Sequence, residues 1–217
     1  MADYAARRTA MVDTQVRPSD VTKFPIINAM LSVAKEDFVH AGQRETSYVG
    51  ENIDLGQGRV ILEPRTMAKM LDGLDIQPTE TVLDVGCGLG YSSAIISKLA
   101  DFVVALEDQE TLANEAQDLL SQAGADNVAV QAGAMQDGAP KHGPYDVITI
   151  QGGVETIPAA LLDQLRDGGR IAAIFVEQGL AVCRIGNKSK GTVTWRYAFN
   201  AGAPVVQGFE AAREFAL

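Results

Sequence analysis

The chain has 217 residues, 47% of them hydrophobic and 21% charged, which suits one globular domain (1–217) with a sizeable core. Its 18 Lys+Arg against 28 Asp+Glu leave a formal charge of −10, a balance that repels phosphate backbones and excludes nucleic acid as an expected partner. No apolar run is long enough for a membrane span, and the N-terminal residues lack a signal-peptide core, so a cytoplasmic protein is expected.

In chain order, residues 20–33 (DVTKFPIINAMLSV) predict an amphipathic helix, with Asp20 as N-cap and Phe24, Ile27, Met30 and Leu31 inward. The Gly-rich stretch 50–58 reads as loop. Pro64 then opens a helix running to about Leu74, with Met67, Met70, Leu71 and Leu74 facing the core. From residue 81 strands and helices alternate. Strands are predicted at 81–85, 102–106, 128–131 and 145–150, with helices at 90–99, 110–122 and 158–165, the last closing at Gly168-Gly169. Three further strands follow at 170–176, 181–185 and 192–199, the final two forming a hairpin. Apolar strands that do not alternate imply a largely parallel sheet buried on both faces: an α/β, doubly wound, Rossmann-like fold with seven strands, the last pair antiparallel, and a short N-terminal helical extension.

The most informative segment is 82–91, VLDVGCGLGY, a strand running into a Gly-rich turn that opens a helix. Gly86, Gly88 and Gly90 permit positive φ and close approach of a ligand, in the place where open α/β sheets bind nucleotides. Glu107 ends the next strand 21 positions after Gly86, near the offset at which a carboxylate accepts ribose hydroxyls. The glycines fall as G-x-G-x-G rather than the dinucleotide spacing, Tyr91 is not small, and Asp84 puts a carboxylate where a pyrophosphate would lie. A cationic nucleoside without phosphate suits that charge better, so S-adenosylmethionine is expected and an NAD-dependent oxidoreductase is disfavoured. Cys87 reads as a small turn residue touching the cofactor, not a nucleophile, with no His near it in sequence. Cys87 and Cys183 suggest no disulfide framework, His40 and His142 read as surface or loop residues, and no metal site is expected. Trp195 and Tyr197 read as sheet residues.

The D-x-G-x-G-x-G turn resembles motif I of the class I methyltransferases. The resemblance narrows with Ala29–Val39 (AMLSVAKEDFV), Leu55-Gly56-Gln57-Gly58, Ile61, Pro64, Ala68 and Met70, Tyr145-Asp146-Val147-Ile148, Ile157-Pro158, Leu161, Gln164-Leu165 and Gly168-Gly169. Over about 25–176 the chain is similar to the protein-L-isoaspartate O-methyltransferase family. That likeness implies a carboxyl O-methyltransferase acting on damaged protein. It divides the chain into an N-terminal helix and acceptor-site loop (1–63) and a cofactor-binding core (64–217). It also implies a cofactor set of Asp84, Gly86, Cys87, Gly88, Gly90, Tyr91, Glu107, Asp108, Gly133, Ala134 and Gln151.

The departures from the family pattern fall in the acceptor region. Where the family loop carries hydroxyl residues the chain has Arg59, Val60 and Leu62; Gln151-Gly152-Gly153 replaces a T-A-A-like run, and Gly133-Ala134-Met135 lacks the family's acid. Arg59 reads either as a guanidinium gripping an acceptor carboxylate or as a solvent-facing partner of Glu63. Val60 and Leu62 read as an apolar acceptor cleft or as packing. Two alternatives accompany the leading reading: a methyltransferase with a different small-molecule or protein acceptor, and a non-catalytic module that binds the cofactor or a partner. The acceptor and the oligomeric state stay open at this level.

Overall fold

The computed structural model describes residues 3–212, and its centre is a seven-stranded sheet whose order follows from where the apolar runs lie. Helix α1 (Tyr4–Met11) and an irregular helical turn bury Met11, Val12 and Val16. Helix α2 spans Phe24–Ser32. A separate hairpin, β1 (Ile53–Gly56) and β2 (Arg59–Ile61), precedes α3 (Pro64–Leu74). Then follow β3 (Thr81–Val85), α4 (Tyr91–Ile96), β4 (Phe102–Glu107), α5 (Glu110–Gln122) and β5 (Val128–Ala132). The chain closes with β6 (Tyr145–Val154), α6 (Ala159–Asp163), β7 (Leu165–Glu177), β8 (Leu180–Ser189) and β9 (Thr192–Asn200).

The sheet order is β5-β4-β3-β6-β7-β8-β9, with β5 to β7 parallel and β8 and β9 antiparallel. The chain moves outward from β3 to β5 and returns to β6 on the other side of β3, so the strand order reverses between β3 and β6. A crevice opens at the carboxyl ends of the strands at such a reversal, which is where ligands of open α/β sheets bind. Successive strand residues enter different cores: Val82, Val103 and Val147 face the helices α1 to α5, while Leu83, Val104 and Ile148 face α6 and the C-terminal residues Val206 and Phe209. Burial on both faces explains why the central strands β3, β4 and β6 are largely apolar instead of alternating. No helix among the described residues is long and apolar enough to cross a membrane.

Four sequence expectations are corrected. The helix expected over 20–33 begins at Phe24: Pro25 lacks an N–H and suits the first turn, Asp20 closes a preceding turn at φ 65°, and Phe24 is 75% exposed rather than inward. Residues 53–61, assigned to loop and its flank, pair as a hairpin because Gln57 and Gly58 both adopt positive φ (51° and 77°), the twist a two-residue turn needs. The helix expected to run to Leu165 stops at Asp163. Gly168 and Gly169 lie inside β7, and a Cβ at Gly169 would sit 2.9 Å from the Asp146 carbonyl, so crowding of backbones explains that glycine. Strand β6 continues past Ile150 to Val154, since Gly153 donates to the Pro204 carbonyl (2.7 Å) and accepts from Val206 N–H (2.9 Å).

Candidate functional site

The site grows from the end of β3. Asp84 is fully buried, its Oδ2 accepting from the Ser92 and Ser93 hydroxyls (2.6 Å each) and its Oδ1 from Gln151 Nε2 (2.7 Å). Burial pushes its carboxyl up to about 6, with the three hydrogen bonds pulling the other way. After it the chain turns through Gly86, Gly88 and Gly90, at φ 75°, 56° and 94°, a conformation that side chains resist at each position. Gly90 caps α4, which places the two serines of its first turn over Asp84.

Strand β4 delivers Glu107 beside that turn. Gly88 N–H donates to Glu107 Oε2 (2.9 Å), and Gly86 N–H to the Leu106 carbonyl (2.8 Å), so the turn is fastened to the neighbouring strand. Glu107 Oε1 accepts from Arg59 Nε (3.0 Å) and from the N–H groups of Asp108 (3.1 Å) and Gln109 (3.2 Å). Burial raises the Glu107 carboxyl and the Arg59 guanidinium lowers it; the net direction is upward. Gly133 and Ala134 follow β5 at the same end of the sheet, Gly133 N–H donating to the Glu107 carbonyl (2.9 Å). Gln151 reaches in from β6, its Oε1 buried without a hydrogen-bond partner among the described residues. Asp84, the glycines, Cys87, Glu107, Asp108, Gly133, Ala134 and Gln151 therefore lie at the carboxyl ends of the strands, whereas the Tyr91 ring packs against Phe38 (centroids 6.0 Å) with the Lys35 ammonium 5.6 Å from its centre.

Arg59 is found in neither expected place. It is 1% exposed, and its guanidinium pairs with Glu107 and Asp108. Glu63 instead accepts from Thr66 Oγ1 (2.7 Å) and stands near Arg65 (3.7 Å). Val60, within β2, and Leu62, just after it, are buried in the core in this structure. Cys87 is buried, and burial together with the Asp84 and Glu107 carboxylates pushes its thiol well up, so it stays protonated. Trp195 lies in β9, edge-on to Phe175 with ring centroids 4.9 Å apart.

Four contributors escaped sequence reasoning. Ser92 and Ser93 could have been found as hydroxyls in the first turn of the helix after the glycines. Leu55 and Met135 were noted only for their likeness to, or departure from, the family pattern, and their contact with the turn carried no local signal: Leu55 Cδ1 lies 2.8 Å from where a Cβ of Gly88 would be, and Met135 Sδ 3.4 Å from that of Gly86. The donor set fits a cationic nucleoside, with buried carboxylates at Asp84 and Glu107, an amide oxygen awaiting a donor and a cradle that a Cβ would fill. The conformation nevertheless holds Arg59 on the carboxylate that would take ribose hydroxyls.

Comparison with known proteins bears on the family and the fold. The profile of the family described as Protein-L-isoaspartate(D-aspartate) O-methyltransferase matches residues 6–199. The protein-L-isoaspartate O-methyltransferase of Syntrophus aciditrophicus is 35% identical over 79% of this chain and 78% of its own length. That of Roseiflexus castenholzii is 33% identical over 78% and 77%. A solved protein-L-isoaspartate O-methyltransferase superposes with a TM-score of 0.83 at 22% identity, covering 93% of this chain and 66% of its own. A Plasmodium falciparum structure described as a candidate enzyme of that name, in complex with S-adenosyl-L-homocysteine, gives 0.79 at 18% identity over 95% and 99%. The two structures establish the shared fold.

Proposed function

The chain belongs to the protein-L-isoaspartate O-methyltransferase family, which makes it an S-adenosylmethionine-dependent methyltransferase, and we propose that its acceptor is a carboxylate of damaged protein in the cytoplasm. The observation that carries this reading is the buried Asp84, glycine turn and Glu107 constellation at the strand-order reversal. When bound, S-adenosylmethionine supplies a methyl group that is already activated. In this proposal Glu107 accepts from the ribose hydroxyls, Asp84 faces the ligand's positive charge through Gln151 and the serines, and Gly86 and Gly88 let the backbone approach closely. Gly133 and Ala134 flank the adenine end, with Asp108 beside Glu107. Residues 1–63 supply the acceptor side and 64–217 the cofactor core of one domain.

A carboxylate acceptor is anionic at neutral pH, so no side chain has to remove a proton. The chain's contribution is then orientation and exclusion of water. Incubation with an isoaspartyl peptide and labelled S-adenosylmethionine is expected to yield base-labile methanol. Tight binding of S-adenosylhomocysteine with no methanol would move the assignment to the second reading, a cofactor-binding module without turnover.

A further inference from the structure

The site is plugged by its own hairpin. Glu107 is 0% exposed with both oxygens committed, Oε2 to Gly88 N–H and Oε1 to Arg59 and two backbone N–H groups. From the same hairpin, Leu55 covers Gly88. Two side chains thus fill the space a nucleoside would enter, one by charge and one by volume. We infer that Arg59 is a self-ligand of the sugar subsite, competing with the cofactor's ribose for Glu107 and setting the affinity of the site. The inference rests on the cofactor assignment above and adds that the site must open before it binds.

Three features support competition over permanent closure. First, Arg59 fits its seat incompletely: Nη1 is buried with no hydrogen-bond partner among the described residues, so the closed state carries an unmade bond. Second, β1 and β2 pair only with each other, so the hairpin can lift without breaking a ladder of the seven-stranded sheet. Third, beyond the core packing of Ile53, Leu55, Val60 and Ile61, few polar side-chain bonds hold it. Gln43 Nε2 donates to the Asp54 carbonyl (2.6 Å), Asn52 Nδ2 to the Gly202 carbonyl (2.8 Å), and His40 Nε2 lies 3.1 Å from the Leu55 carbonyl. Removing one partner of a buried ion pair is costly when the other stays dry. Opening therefore becomes favourable when ribose hydroxyls replace the guanidinium on Glu107.

Calorimetric titration with S-adenosylhomocysteine tests this on the wild type, Arg59→Ala and Arg59→Met, the last keeping the apolar stem in case alanine prevents folding. At least tenfold tighter binding is expected in a folded variant. In the wild type, hydrogen exchange of the amides at 53–61 is expected to accelerate when the ligand saturates the site. Equal or weaker binding in the variants, or ligand-induced protection of the hairpin, overturns the inference while leaving the cofactor assignment intact. No binding by wild type or variant overturns both.

Discussion

Asp84→Asn separates what the site needs for folding from what it needs for a charged ligand. The Asp84 carboxyl titrates at about 6 when folded against an ordinary value of 3.8, because desolvation outweighs its three hydrogen bonds. The folded-state value is raised, so the folded protein holds the proton more tightly than the unfolded chain. Stability from this group is therefore fully present below about pH 3.8 and is lost as pH rises to about 6. At 1.36 kcal/mol per pKa unit the ionised group costs about 3 kcal/mol at pH 7. Asparagine carries no such penalty: its oxygen keeps the Gln151 bond, and its amide meets hydroxyls of Ser92 and Ser93, which can rotate to accept. After allowance for imperfect repacking, Asp84→Asn should be about 1–3 kcal/mol more stable than wild type at pH 7. Urea unfolding of both proteins from pH 4 to 7.5 measures this as a difference that grows with pH and levels off above 6. A difference that is flat with pH, or a variant less stable at pH 7, refutes the reasoning. The same variant should bind S-adenosylmethionine more weakly, trading stability against function.

Lys35 is buried, its ammonium lies 5.6 Å from the centre of the Tyr91 ring and has no hydrogen-bond partner among the described residues, and burial lowers it to about 8 from 10.5. Here the unfolded chain holds the proton more tightly, so stability should rise between pH 8 and 10, and Lys35→Met should gain about 2–3 kcal/mol at pH 7, with the gain shrinking at pH 10 in urea titrations. Leu62→Ser removes a fully buried side chain and should cost about 2–4 kcal/mol, read as a lower denaturation midpoint; an unchanged midpoint would return Leu62 to an open cleft. Gly152→Val should lower the thermal midpoint and release the C-terminal segment to protease, because a Cβ at Gly152 would overlap Val206. Intact protease resistance in that variant would show that the segment does not depend on this packing.

The sheet from Thr81 to Asn200 was legible because its signals are local. Apolar runs of strand length, a helix of helical period at Glu110–Gln122, and glycines at the end of β3 each report on neighbours in sequence. The same locality exposed Asp84 and Glu107, and it carried the family resemblance. Where local signals conflicted, the reading failed: the glycines at 56 and 58 spoke for loop, and the hairpin showed itself only through positive φ at Gln57. The glycines at 152 and 153 gave no hint that a tail returning more than 50 residues later needs their missing side chains.

What the sequence by itself determined is the α/β architecture, the family, and the glycine-rich turn after β3 with its two carboxylates, Asp84 and Glu107. Only the tertiary structure decided that Arg59 meets Glu107, a residue 48 positions away, and that Leu55 and Met135 close over the glycines. The physical reason is range. Periodicity and turn chemistry act between residues a few positions apart, whereas the partner of a buried charge is chosen by the whole fold, which must desolvate both groups before either contact exists.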